Sequence, residues 1–437
     1  MPESTLDAAG VLADLDVLDF DGLALDALAS SALASSALAS NALASSSIAP
    51  DPFASRRDPV FAALACRLFS CLPRSDQRSR GADYLSGLLA ARGRKSIRNI
   101  AALFGGSEVE QRLHHFVCAS NWDWVPMRIA LAEYLEDVAA PAAWVAAPLI
   151  VQKTGSNSIG VERRFVPELG RVLNAQQAVG VWAANAEVSC PVNWRLQLPG
   201  SWLDDRARRR QAMIPDGVGP SSLEECTLDA CLETARDWRL PRRTVVLDAR
   251  SMNAAALVRR LRAAGVPFLI RVSGGLRLAA ADSALARWST RPQPAGLIMK
   301  VARTLTRPVA WRNHEAGGGR RNGMVAAVRV RLGFDADATE LCLFSVSGPQ
   351  PASGEPGGAG AELWLADRMP EEVPALVRLT RLTGRVRRDL REVSDHVGVR
   401  DFTGRSYGGW HRHLTLASAA HAVRALGRAG AGVPATF

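Results

Sequence analysis

The sequence predicts an α/β protein: a mixed sheet with helices, preceded by an α-helical N-terminal domain and interrupted by a β-rich insertion. Three observations predict it. Apolar residues recur at helical spacing from Pro59 to about Pro141, and beyond Pro141 the spacing changes to short apolar runs separated by glycines and polar turns. From Ser222 onward helical and strand patterns alternate, and a long strand-like stretch breaks that alternation before helices resume near Glu371.

Taken in order, residues 1–57 read as a low-complexity tail. A five-residue unit, Ser/Asn-Ala-Leu-Ala-Ser, repeats between Asp26 and Ser47, and a period of five suits neither a helix stripe nor a strand. The tail is expected to be disordered, with a frayed helix as the alternative. Residues 58–142 form the helical domain, with helices expected over Pro59–Leu72, Gly81–Ala91, Ser107–Ala119 and Val125–Val138. Residues 143–273 are the first part of the α/β layer. Three neighbouring strands are expected at Trp144–Val151, Ser158–Phe165 and Gln176–Ala183, followed by a helix over Ser222–Asp237. A buried-type strand, Thr244–Leu247, then ends in Asp248, ahead of a helix over Asn253–Ala264 and a strand over Pro267–Val272. Residues 274–370 are the β-rich insertion, with strands at Gly323–Leu332 and Glu340–Val346. Residues 371–427 close the layer with helices near Glu371–His396 and Arg412–Leu426, and 428–437 form a flexible C-terminus.

Charge narrows the function. The first 55 residues hold no Lys or Arg and eight acids, so the remaining chain carries 53 basic against 35 acidic residues, a net +18. Such a body favours a polyanion, because phosphate contacts release condensed counterions. No apolar run is long enough to span a bilayer and no basic start precedes an apolar stretch, so neither a membrane partner nor a secretory signal is expected. Seven cysteines without C-x-x-C spacing suggest a reducing compartment and mostly buried thiols, so a cytoplasmic protein, nucleoid-associated if bound to DNA, is expected.

Specific stretches carry more. Tyr84–Leu89 with Gly93–Ala101, His115-Phe116 with Trp122-Asp123, Ser158–Val161, Asn174 with Gln176, Trp194–Trp202 and Gly404–His413 follow in an order and spacing that resembles the 701 family of bacterial insertion-sequence DDE transposases. That resemblance implies an RNase H-like core. It also implies two divalent ions, held by two aspartates and a glutamate, that activate the attacking oxygen and stabilise the leaving one in phosphoryl transfer.

Carried onto this sequence, the family pattern is broken. Counting back from Ser158, with Gly155 and Lys153 matched, the first aspartates fall on Ala147 and Pro148, and no acid occurs between Asp137 and Glu162. The second aspartate is retained as Asp248, for which an N-cap of the following helix is the structural alternative. The glutamate position falls on Arg387. Asp389 and Glu392 are near, but helical spacing turns them aside from the apolar face of Val386, Leu390, Val393 and Val397. A guanidinium there removes a hard oxygen ligand and repels the ion. No cofactor is therefore expected, and Mg²⁺ or Mn²⁺ only if the chain is active.

Three functions remain open at this point. The first is a transposase-derived protein that binds double-stranded DNA without cutting it, through Arg378, Arg381, Arg385, Arg388 and Arg391, a stripe at three- and four-residue steps, with Lys153 and Arg405. The second is an active transposase using displaced acids such as Glu162, Asp248 and Glu392. The third is a protein-interaction scaffold. A second copy of the chain is the other partner considered. His411, His413 and His421 invite a zinc reading, but no cysteine or acid stands at ligand spacing.

Overall fold

Short polar side chains set where some of the helices begin. Asp58 accepts from the backbone N–H of Val60 at 2.8 Å and Pro59 occupies the first turn of α1 (Pro59–Phe69). Helices α2 (Ser75–Ala90), α3 (Ile97–Ala101, capped by Ser96), α4 (Ser107–His114, continued by a π turn to Ala119) and α5 (Val125–Ala139) follow. The computed structural model describes residues 51, 53–166, 169–288, 291–312, 320–333, 340–347, 362–369 and 372–430. The repeat tail, the Gly/Pro-rich 348–360 segment and 431–437 lie outside them. Pro50 to Phe437 forms one compact unit.

The α/β layer is a twelve-stranded mixed sheet. Strand β1 (Ala143–Gln152) pairs antiparallel with β3 (Arg171–Ala184), whose other edge is shared by β2 (Glu162–Val166) and β4 (Ser189–Leu196). On its opposite side β1 runs parallel to β5 (Thr244–Asp248), which runs parallel to β6 (Phe268–Val272). Antiparallel strands followed by two parallel ones are the order of an RNase H-like core. Strand β4 was not among the expected strands, and it carries Pro191, which cannot donate to a ladder. It is tolerated at a register shift between Val181 and Trp182.

The interrupting segment continues the same sheet. Its strands are β7 (Arg277–Ala280), β8 (Gln293–Pro294), β9 (Arg307–Arg312), β10 (Arg320–Arg331), β11 (Leu341–Ser347) and β12 (Glu362–Ala366), with α10 (Ala295–Val301) among them. Strand β12 lies antiparallel against β6, Leu365 opposite Ile270, and carries β11 and then β10 outward. Four further helices, α6 (Gly200–Leu203), α7 (Arg206–Gln211), α8 (Leu223–Leu232) and α9 (Ala254–Ala263), connect the core strands.

The chain closes with α11 (Val373–Thr380), α12 (Leu382–Asp389), a π turn (Leu390–Ser394) and α13 (Tyr407–Ala429). The sequence pattern placed the last helix from Arg412; it starts five residues earlier because Ser406 Oγ accepts from Gly409 N–H at 3.2 Å. Residues Gly409 to Val423 are buried without a break, so this helix has no solvent face. It packs on β4 and on α1, α2 and α5. No described helix is long and apolar enough to cross a membrane.

Candidate functional site

Strand β5 reads Thr-Val-Val-Leu-Asp, four buried residues and then a carboxylate at the strand end. The parallel register pairs Ala146 with Leu247, so one step further sets Ala147 beside Asp248 on the same face. Pro148 faces the other way, past the end of β5 where β1 has an open edge that tolerates a residue without N–H. Position 147 is thus the one from which an acid would meet Asp248, and it holds a methyl group.

Asp248 is instead held by arginines. Arg250 Nε lies 2.9 Å and 3.0 Å from the two carboxylate oxygens and its Nη2 lies 2.7 Å from Oδ2. Arg271, in register with Asp248 on β6, approaches at 3.6 Å and also pairs with Glu362 at 2.9 Å. Burial pushes the Asp248 carboxyl up, but the hydrogen bonds and charge of Arg250, with Arg271, outweigh it and hold the group below the usual carboxylate range. Asp248 does not cap the next helix: Asn253 does, accepting from Ala256 N–H at 3.1 Å. Neither arginine was singled out in the sequence. Arg271 left a signal there, as the lone charge inside Phe-Leu-Ile-Arg-Val, a strand whose other residues are buried.

Helix α12 packs across β1, β3, β4 and β5. Val386, Leu390, Val393 and Val397 are buried along the expected face. Arg387 is exposed and has no hydrogen bond or ion pair among the described residues. Asp389 is buried, accepting from Ser189 N–H at 3.0 Å, Ser189 Oγ at 2.8 Å and Arg385 Nε at 2.7 Å. Glu392 is exposed, and Glu162 pairs with Arg164 at 3.2 Å. Among the described residues no group of three or more His, Cys, Asp or Glu side chains is placed to hold a metal ion.

A family model described as a DDE superfamily endonuclease matches residues 67–334. The chain belongs to that family. The matched span of this DDE-family chain includes β1 and Asp248 and stops before α12. No curated protein matches it. Among solved structures it is similar to a piggyBac transposase in a synaptic complex with hairpin DNA, at 12% identity and a TM-score of 0.37, over 89% of this chain and 78% of that one. That likeness is too slight to carry an argument.

The two metal ions that the family implies do not fit the residues present. Asp248 is engaged by two guanidiniums, and among the described residues no three His, Cys, Asp or Glu side chains converge where an ion could be held. No step is derived through a metal here.

The remaining sequence-predicted residues fall into two groups. Arg378, Arg381 and Arg391 are exposed, as is Arg405. Arg385 and Arg388 are half-buried, Arg385 turned to Asp389, and the Lys153 ammonium donates to the carbonyls of Arg400 (3.2 Å) and Phe402 (2.6 Å). Burial, then the nearby Arg94 charge, lowers that ammonium's pKa to about 8. The cluster Arg206, Arg208, Arg209 and Arg210, expected in a loop, lies on α7 because Asp205 accepts from the N–H groups of Ala207 and Arg208. His413 and His421 each have both ring nitrogens bonded within the protein, to Tyr84 and Gly398 and to Ser394 and Ser189. They are core histidines.

Proposed function

We propose that this protein is a DNA-binding descendant of the 701-family bacterial insertion-sequence transposases that no longer cleaves strands. The observation that carries this reading is the state of Asp248: Arg250 chelates its carboxylate, Arg271 stands beside it, and Ala147 occupies the facing position. A carboxylate already satisfied by two fixed cations offers little to Mg²⁺ or Mn²⁺, which would have to displace both.

Double-stranded DNA is the partner that the +18 body favours, contacted through phosphates. Arg378, Arg381, Arg388, Arg391 and Arg405 are the side chains proposed to reach it. Arg385 and Lys153 act one step back, Arg385 by fixing Asp389 and Lys153 by bracing the carbonyls just before Arg405.

The deciding experiment incubates short duplexes with the full chain and either Mg²⁺ or Mn²⁺, beside Asp248→Ala. Binding without nicking is expected from both proteins. Metal-dependent nicking that Asp248→Ala abolishes would establish an active transposase instead.

A further inference from the structure

Three stretches that carry the family likeness, the neighbouring Tyr84–Leu89 and Gly93–Ala101 and the distant Gly404–His413, play no part in the acidic site. They fold around one cavity of about 550 Å³, within the usual range for a small-ligand site. The polar groups of its floor are bonded within the protein. Tyr84 Oη and His413 Nδ1 are 2.8 Å apart, and His413 Nε2 donates to Gly398 O at 2.8 Å. Ser406 Oγ donates to Cys118 O at 3.1 Å. The Lys95 ammonium points away, to Ala91 O, and the Asp401 carboxylate is taken by Lys95 N–H at 2.7 Å.

The rim is different in kind. Arg98 and Arg405 are exposed there, and neither guanidinium has a hydrogen bond or ion pair among the described residues. Met213 also lines the cavity, 56% exposed and held at φ +51°, a left-handed conformation that costs a residue with a Cβ. Its turn is fixed by Tyr407 N–H donating to Ala212 O at 2.8 Å. Glu110 and Gln211 complete the wall with groups that can bond a base edge. The second cavity is unlike this one, lined by Glu162 and Glu225 with no basic residue.

We infer that this cavity takes one unpaired nucleotide of a DNA strand, its phosphate between Arg98 and Arg405 and its base against Met213. The planar fork of an unspent guanidinium can donate to two oxygens of a phosphate at once, and a thioether is an adaptable partner for an aromatic face. Glu110 repels a phosphate placed next to it, which orients the ligand: the anion lies at the arginines and an amino-bearing base edge at the carboxylate. A base within a duplex cannot enter, so the nucleotide is terminal or extruded. The inference rests on the DNA-binding reading and adds the site.

Its test places 2-aminopurine at terminal or internal positions of a duplex and reads fluorescence at saturating full-length protein. Wild type is expected to raise the signal several-fold at one position at least, by unstacking the probe. The double variant Arg98→Ala, Arg405→Ala, on exposed positions, is expected to lose that rise, while Arg163→Ala, Arg259→Ala, which removes the same charge from exposed positions outside the cavity, keeps it. A rise unchanged in the Arg98, Arg405 variant, or duplex bound by wild type with no rise at any position, overturns the pocket. Absence of binding to any DNA at low salt is a separate result and overturns the functional reading beneath it.

Discussion

Two carboxylates, Asp248 and Asp389, show what an arginine partner does in different surroundings. At Asp389 the pair with Arg385 is buried and two further hydrogen bonds from Ser189 complete it, so it fastens β4 to the closing helix. At Asp248 the pair sits at a strand end, where the family resemblance implies a metal ligand. Asp248 was legible in the sequence because a charge ends an apolar strand; its partners were not, because Arg271 comes from another strand and only register brings it there. Gly180 is a residue-scale constraint invisible in the sequence. A Cβ there would lie 2.7 Å from Trp194 Cζ3, inside the bulged β3–β4 pair. Gly180→Ala is expected to destabilise the fold by about 1–3 kcal/mol, as overpacking does, measurable as a lowered denaturation midpoint. An unchanged midpoint would mean that Trp194 can move aside.

The closing helices show where periodicity stops being a guide. The apolar positions of the sequence pattern were all found buried, since packing enforces them. The basic stripe drawn on the same wheel runs over more than one element, with Arg378, Arg381 and Arg391 exposed and Arg385 and Arg388 half-buried. Helix α11 ends at Thr380, α12 restarts at Leu382, and the π turn at Leu390–Ser394 inserts a residue that rotates whatever follows. Such turns also end the helices before Ala119 and Asp237, and in each case an uninterrupted helix was the natural expectation. If Arg378 and Arg391 contact phosphates, replacing either with Ala lowers the slope of log affinity against log salt by about one and weakens binding to all sequences alike. A loss confined to particular sequences would instead assign them to base reading.

At the scale of the molecule, the succession of core strands and flanking helices was read from the sequence apart from β4, whereas the joining of the β-rich segment to β6 was not. Alternation marks β10 and β11 as strands but carries no information about which edge they extend. The buried helix α13 gives the whole fold a pH signature. Burial holds His413 and His421 at about 4 and His411 well below its ordinary value, so all three stay neutral when folded. An unfolded chain protonates them near 6.5, so stability is full above that pH and falls as pH drops toward 4, by up to roughly 3 kcal/mol for each of His413 and His421. Chemical denaturation across this window checks it: between pH 6.5 and 5, before carboxylates titrate, the midpoint is expected to fall, and less so in His421→Asn. A flat profile there excludes the mechanism.

The contact between Tyr84 and His413 spans 329 residues of chain, and the N-terminal helices share their core with a helix that is translated last among the described elements. At about 5–20 residues per second, synthesis leaves those helices without their partner for roughly 15–65 seconds. During that time Leu85 and Leu88, fully buried in the finished protein, have nothing from α13 to cover them. The nascent chain is therefore the form of this molecule that leaves most of this apolar surface uncovered.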